Sequence, residues 1–285
     1  MLYTIQNEYL TVTVNDHGAE LWSIHDGQTE YLWQGDKRYW EGRSPNLFPY
    51  IGRMIEKKYT YKGVVYPMQI HGIALYCDFA LLEQTDNTLV FGLSSNAESL
   101  GQYPWDYTFK VIYTLNVNKL DITFEVTNNS NSTMLFAVGG HPGFNIPVDR
   151  FSNYCLRFGG HCDPERILFT PDCFVDDHTN TYPLINGTDI PLRHELFDDD
   201  AIVLKNTAKS VTLIGGSKSI TVDFPQMAYI GFWHRPHMEC PYVCIEPWSS
   251  LPSPKGTKTV LDSQKDLLTL TSGATYQNRW SITIE

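Results

Sequence analysis

The chain has 285 residues, of which 42% are hydrophobic and 13% are aromatic, enough for a large apolar core. Its 32 acidic residues outnumber the 21 basic ones, a formal charge of −11 at pH 7, and the absence of a basic stripe disfavours nucleic-acid partners. The sequence lacks a signal-peptide pattern and the ~18 uninterrupted apolar residues of a membrane span, so we expect a cytoplasmic protein that does not contact membranes.

Alternation of apolar and polar residues recurs along the whole chain and predicts β-strands. In chain order, the predicted strands cover residues 10–14, 89–93, 109–117, 120–128, 210–216, 219–224, 267–273 and 279–285. A hairpin turn is predicted around Asn118 and Lys119. Amphipathic helix patterns are almost absent, and the best helical candidates are short stretches within 198–204 and 260–267.

Many short strands without intervening helices predict antiparallel sheets, packed as a sandwich or closed as a barrel. The chain has no Gly/Ser/Pro-rich linker, no charge run and no fixed repeat, so we expect one all-β domain over residues 1–285. The longest region without strand patterning, residues 162–200, is expected to be a functional or covering loop.

Three ionisable residues stand beside glycines in turn-forming segments. His141 lies in "GGHPGFN" at the end of a predicted strand, where the glycines allow the backbone to approach a ligand closely. His71 lies in "QIHGIA", with Gln69 expected on the same face of a strand. Arg53, in "FPYIGRM", is either a surface charge or a donor to sugar hydroxyls or a carboxylate.

Glu246 is the strongest carboxylate candidate, because it is expected at the end of the apolar strand in "VCIEPWSS". A glutamate between Ile245 and Pro247 is costly to bury unless it is paired or used in chemistry. Several aromatic side chains either pack in the core or present a flat surface to a sugar: Phe48, Tyr50, Phe144, Trp233 and Trp248.

No cofactor or metal is expected. The sequence has no Gly-rich phosphate loop, dinucleotide fingerprint or G-x-S-x-G elbow. Cys240 and Cys244 have the C-x3-C spacing of half a metal site, but the second half is absent. The six cysteines are expected to be reduced thiols.

Taken in order, "NLFPYIGRM", "QIHGIA", "GGHPGFN", "LFDDDAIVL" and "CIEPW" resemble the aldose 1-epimerase (galactose mutarotase) family, and most closely its LacX-like branch. The resemblance covers the whole chain and implies a large antiparallel β-sandwich with a cleft across one sheet. It implies Glu246 as general base, His141 as general acid, and His71 and Arg53 as groups that orient a sugar.

The family's hydroxyl-binding aspartate falls within "DDDA". We assign it to Asp200 rather than Asp198 or Asp199, because Asp200 directly precedes the Ala-Ile-Val-Leu strand. The resemblance departs at Ile73 and Leu75, where the best-known mutarotases more often carry an aromatic residue and an arginine. This departure bears on the identity of the sugar.

The resemblance therefore implies an aldose 1-epimerase that interconverts the anomers of an aldohexose by acid–base ring opening. A hexose-6-phosphate 1-epimerase is also compatible with the motifs but would need further cations beside Arg53; the candidates are Arg43, Arg235, His237 and Lys255. A non-catalytic sugar-binding protein with the same cleft, and a glycoside hydrolase that uses Glu246 with Asp200, remain open as well. The sequence leaves the oligomeric state open.

Overall fold

The computed structural model describes residues 1–256 and 258–285, and strands dominate this part of the chain. In chain order the strands are β1 (Leu2–Gln6), β2 (Thr11–Asn15), β3 (Glu20–His25), β4 (Asn46–Leu47), β5 (Lys58–Tyr61), β6 (Val64–Pro67), β7 (Ala80–Gln84), β8 (Thr88–Ser94), β9 (Tyr107–Asn116), β10 (Lys119–Asn128), β11 (Met134–Phe136), β12 (Gly139–Gly140), β13 (Gly143–Asn145), β14 (Cys155–Phe158), β15 (Glu165–Phe169), β16 (Val175–Thr181), β17 (Asp189–Pro191), β18 (Ile202–Lys205), β19 (Ser210–Ile214), β20 (Ile220–Asp223), β21 (Tyr229–Trp233), β22 (Tyr242–Trp248), β23 (Thr259–Val260), β24 (Leu268–Leu270) and β25 (Thr275–Ile284).

Helices are few and short in the described residues. The α-helix α1 covers Ala97–Gln102, and the 3-10 helices cover Ile55–Lys57, Ala74–Tyr76, Val148–Asn153, His194–Phe197 and Leu261–Ser263. None of the helices in the described residues is long and apolar enough to span a lipid bilayer.

Two large sheets form the body of the protein. One has nine strands in the order β17-β14-β19-β20-β25-β10-β9-β8-β7, and the other has eight, in the order β16-β15-β18-β21-β22-β12-β4 with β13 also paired to β22. Smaller sheets join β1-β2-β3, β11-β24 and β23-β5-β6. The strand pairs within both large sheets are antiparallel, which confirms the predicted antiparallel β-sandwich.

Aromatic side chains from the two large sheets meet in the core between them. Phe48, just after β4, stacks on Phe109 of β9 with ring centroids 4.5 Å apart. Trp280 of β25 lies so close to Gly140 of β12 that a Cβ there would be 2.5 Å from the indole. Gly140 is therefore needed for the close approach of the sheets immediately before His141.

Each predicted strand overlaps an observed one, namely β2, β8, β9, β10, β19, β20, β24 and β25. The predicted β9–β10 hairpin is also present, with Asn116 paired to Lys119 across a turn formed by Val117 and Asn118. These strands are recognisable because they have one buried and one more exposed face, as in the alternating burial of β9.

The structure differs from the predictions for three segments. Residues 162–200 contain β15, β16 and β17 instead of one irregular loop, and β16 was missed because its exposed polar residues give no apolar alternation. The helical candidate at 198–204 is a turn followed by β18, whose first three residues are all buried. The candidate at 260–267 contains only a single 3-10 turn, Leu261–Ser263.

The α-helix α1 was not predicted. Its start is defined by a capping box in which the Asn96 side chain accepts the Ser99 N–H and the Ser99 hydroxyl accepts the Asn96 N–H. Such a box is a sequence signal for a helix start, but six residues are too few to show helical periodicity.

Candidate active site

A cleft of about 430 Å³ lies over the eight-stranded sheet, and all five residues selected from the sequence line it. This volume is within the ~300–1,000 Å³ range typical of small-molecule sites. The five are Arg53, His71, His141, Asp200 and Glu246.

Glu246 lies within β22, a strand in which every residue is buried. The strand continues through Pro247 to Trp248, so the expectation that Glu246 ends the strand is wrong. On the neighbouring strand β21 the residue opposite Glu246 is Gly231, and a Cβ there would be 3.3 Å from the Glu246 Cβ. The small neighbour leaves room for a carboxyl that has only 1% of its surface exposed.

His141 directly follows β12, so its predicted place at a strand end is confirmed. Its backbone N–H donates to the Pro45 carbonyl at 3.1 Å, which fixes the turn that carries the side chain. The Trp40 ring stacks on the imidazole with centroids 4.8 Å apart, and Trp233 meets it edge-on at 5.6 Å. The imidazole is thus held between two indoles.

The Nε2 atom of His141 and the Oε2 atom of Glu246 are 3.2 Å apart, without the angle of a hydrogen bond. Within the described part of the chain, three buried polar atoms of this cleft have no hydrogen-bond partner: His141 Nδ1, Glu246 Oε2 and the Trp248 indole nitrogen. Native proteins rarely leave buried polar atoms unpaired, so a polar ligand would satisfy groups that the fold leaves unsatisfied.

Burial shifts the pKa values of Glu246 and His141 in opposite directions. It raises the pKa of Glu246 well above the usual value for a carboxyl, and the charge of Asp200 adds to this effect. It lowers the pKa of His141 well below the usual value, and His71 adds to this effect. Burial therefore disfavours the charged form of each partner and favours a protonated carboxyl beside a neutral imidazole.

His71 lies in a turn rather than on a strand, with a positive φ of 64°. The expectation that Gln69 shares a strand face with it is therefore wrong. The His71 N–H donates to the Gly52 carbonyl at 2.9 Å, and the Gly52 N–H donates to His71 Nδ1 at 3.1 Å. Burial lowers the pKa of His71 to about 4, with Arg53 adding to the shift. A neutral ring that accepts at Nδ1 carries its proton on Nε2, where it is a donor.

Of the three consecutive aspartates, Asp200 is the one that lines the cleft. Its Oδ2 accepts the thiol proton of Cys173, with Sγ 2.7 Å away. Asp198 instead accepts the backbone N–H of His237 at 3.2 Å, and Asp199 is exposed outside the cleft. Of the three, Asp200 is therefore the one placed to contact a ligand in the cleft.

Arg53 is exposed and follows Gly52, which approaches Pro252 so closely that a Cβ there would be 2.4 Å from its ring. Gly52 has a φ of 71°. The glycine therefore allows the turn that brings the Arg53 guanidinium to the mouth of the cleft.

The aromatic candidates divide into two groups. Trp233 and Trp248 line the cleft, whereas Phe48, Tyr50 and Phe144 are buried core residues. Sequence reasoning missed several lining residues, including Glu20, Trp40, Cys173 and Tyr76. None of these four residues stands directly beside a glycine, and segments distant in sequence bring them to the cleft.

The thiol of Cys244, a group that can bind metal ions, lies next to His141 and Glu246. Its Sγ, a His141 nitrogen and a Glu246 carboxylate oxygen lie within 4.8 Å of one another, and all three residues are buried. Burial raises the pKa of the Cys244 thiol well above the usual value, with Glu246 adding to the shift. A thiol held in its protonated form is a poor ligand. All six cysteines are free.

None of the four cations proposed as phosphate-binding partners of Arg53 lines the cleft. Arg43 lies over the Trp22 ring at 3.8 Å, Arg235 donates to the Tyr39 carbonyl, and Lys255 is paired with Asp176. His237 contacts Asp198. That part of the sequence interpretation is wrong, because these cations are engaged elsewhere.

Comparison with known proteins agrees with this architecture. A family model described as aldose 1-epimerase matches residues 1–279. Protein LacX (plasmid) of Lactococcus lactis subsp. lactis is 31% identical over 299 aligned positions, which cover 100% of this chain and 99% of that protein.

Two solved structures are similar throughout. A galactose mutarotase-like protein from Lactobacillus casei has a TM-score of 0.94 and 31% identity, with 100% of each chain covered. A galactose mutarotase related enzyme from Lactobacillus acidophilus has a TM-score of 0.92 and 32% identity, covering 100% of this chain and 97% of that one. With its full-length match and its cleft, the chain belongs to the aldose 1-epimerase family.

Proposed function

We propose that the protein is a cofactor-independent aldose 1-epimerase that opens and recloses the ring of a neutral aldose, with residues 1–285 acting as one domain. The observation that carries the proposal is the 3.2 Å contact between His141 Nε2 and Glu246 Oε2 inside the cleft. The ring oxygen and the C1 hydroxyl of an aldose are bonded to the same carbon. An acid and a base that act on them must therefore be neighbours.

The single proton of this pair is sufficient for the reaction. Transfer of that proton from Glu246 to His141 creates a carboxylate and an imidazolium, the base and acid that ring opening requires. The carboxylate then removes the C1 hydroxyl proton while the imidazolium donates to the ring oxygen, and the C1–O5 bond breaks. After rotation about C1–C2 the two groups reverse their roles, and closure on the other face gives the opposite anomer.

The remaining lining residues suit the binding of a sugar. His71 offers an Nε2–H donor and Arg53 a guanidinium, while Asp200 is an acceptor for a hydroxyl. Trp233 and Trp248 present indole surfaces to the same space. Aromatic faces beside a few convergent polar groups are typical of sites for small polar ligands.

Charge favours a neutral sugar over a sugar phosphate. Glu20 and Asp200 line the cleft together with Glu246, whose charged form burial disfavours, and Arg53 is the single arginine or lysine among the described lining residues. A phosphate dianion would need cations that this cleft does not supply.

Hydrolysis of glycosides is the less favoured chemistry. A glycosidase places two carboxyl groups on either side of the scissile bond, ~5–9.5 Å apart, so that a nucleophile or water fits between them. Glu246 instead has an imidazole as its immediate neighbour. Such a pair is better suited to moving protons between two oxygens of one carbon.

Polarimetry of freshly dissolved sugars tests the proposal. We expect the protein to accelerate anomerisation of α-glucose or α-galactose, and to act more weakly on the corresponding 6-phosphates. Rates equal to buffer on every sugar would refute catalysis and favour a sugar-binding protein. Faster reaction of a 6-phosphate would instead refute the neutral-sugar assignment.

A further inference from the structure

Glu20 is a carboxylate of the cleft with no role in the acid–base chemistry. It begins β3, in the small sheet β1-β2-β3, and is half-buried on the wall of the cleft. Burial raises its pKa. A carboxyl in such a place is costly unless its oxygens are used.

One oxygen of Glu20 holds the loop that carries Trp40. Its Oε1 accepts the backbone N–H of Arg43 at 2.8 Å and that of Ser44 at 2.9 Å. The next residue, Pro45, accepts the backbone N–H of His141. Glu20 is thus linked to the His141 turn through two consecutive sets of hydrogen bonds.

The second oxygen is available to a ligand. Glu20 Oε2 makes no hydrogen bond within the described chain, and it is not among the fully buried atoms. A Cβ at the lining residue Gly18 would be 3.4 Å from the Leu75 Cα and 3.7 Å from the Glu20 Cβ, so Leu75 lies near Glu20, and Tyr76 lines the same cleft. A free acceptor oxygen in a cleft that also has apolar and aromatic lining is the kind of group that binds a sugar hydroxyl.

We propose that Glu20 is a further substrate-binding residue, whose Oε2 accepts a hydrogen bond from a non-anomeric hydroxyl of the sugar while Oε1 positions the loop against His141. This inference rests on the proposed function and extends it. Glu20 selects for a neutral hydroxyl at its end of the cleft, because the same carboxylate repels a phosphate or a uronate group.

Two substitutions distinguish the roles of the two carboxylate oxygens of Glu20. Glu20→Gln keeps an amide oxygen for the Arg43 and Ser44 N–H groups but replaces the second acceptor by a donor. Glu20→Ala removes both. Glu41→Gln is the matched control, because it makes the same charge change in the loop that Glu20 holds, at a side chain that is 72% exposed.

We expect KM for the best neutral aldose to rise roughly tenfold or more in Glu20→Gln, with kcat nearly unchanged, as for the loss of a hydrogen bond to a charged group. Glu20→Ala should also lower kcat, because the loop against His141 is released. For a deoxy analogue of this aldose that lacks the hydroxyl contacted by Glu20 Oε2, KM should be the same in Glu20→Gln as in wild type. KM within twofold of wild type in Glu20→Gln, or a fall in kcat alone, would refute the contact.

Equilibrium binding keeps this test separate from the test of catalysis. Titration of sugar against the fluorescence of the cleft tryptophans reports affinity even if the wild type accelerates no anomerisation. If the wild type binds sugar without accelerating anomerisation, and Glu20→Gln binds it more weakly, the Glu20 contact is supported while the epimerase proposal fails. Unchanged affinity in an active enzyme would overturn the Glu20 contact alone, and a wild type that binds no aldose would overturn both.

Discussion

Replacement of Glu246 by glutamine is expected to make the protein more stable at neutral pH while it removes the proposed base. The carboxyl is buried in β22, and its Oε2 has no hydrogen-bond partner in the described chain. Its pKa in the folded protein is raised well above the ordinary 4.5. The folded state therefore binds a proton that the unfolded state releases above about pH 4.5.

The sign and size of the effect follow from this proton. The stability that the raised pKa contributes is fully present below the pKa of this carboxyl in the unfolded chain. It is lost as the pH rises through the pKa of the carboxyl in the folded protein. Between these two values the loss is about 1.4 kcal/mol per pH unit, and glutamine does not titrate. The free energy of unfolding of Glu246→Gln should therefore rise relative to wild type with each step in pH, until the pH passes the folded-state pKa of Glu246.

Urea unfolding at pH 6, 7 and 8 measures this difference, provided that the slope with urea is unchanged. Glu41→Gln, at an exposed ion pair, should show a difference from wild type that hardly varies over the same range. A constant difference between Glu246→Gln and wild type at all three pH values would refute a protonated buried carboxyl.

Two further expectations concern the histidines. His71 has a pKa of about 4 in the folded protein against an ordinary 6.5. The stability that this lowered pKa contributes is present above pH 6.5 and is lost as the pH falls through 4. Between pH 7 and pH 4, His71→Asn should therefore lose about 3 kcal/mol less free energy of unfolding than wild type, as measured by urea unfolding. An identical acid dependence would contradict this. Trp40→Ala should hydrate the His141 ring and raise its pKa, measured by NMR titration of the imidazole, whereas Trp40→Phe keeps a ring over His141 and should shift it less. Equal pKa values in wild type and Trp40→Ala would contradict the shielding role of Trp40.

The strands that the sequence predicted are those with one face in the core. β9 alternates between buried and more exposed positions over ten residues, so its period is readable. β16 is exposed along most of its length, and β12 has only two residues, both glycine. Strands of these kinds are defined by their neighbours in the sheet rather than by their own residues.

The same distinction applies to the site. His141 and His71 could be selected from the sequence because each stands next to a glycine in a turn-forming segment, a setting that few core histidines require. Trp40 and Glu20 carry no such local signal. The segment that follows Trp40 is held by hydrogen bonds from Arg43 to the Glu20 side chain and from the His141 N–H to Pro45, and one sequence does not reveal such non-local contacts.

Exchange between the anomers of an aldose at equilibrium, measured by two-dimensional exchange NMR, tests the central claim most directly. Wild type should increase the exchange rate, while Glu246→Gln and His141→Asn should each lower the increase by ~10²–10⁴-fold, the usual contribution of a positioned acid or base. Substitution of either residue with the exchange rate preserved would contradict the assignment of Glu246 and His141 as the proton-transferring pair.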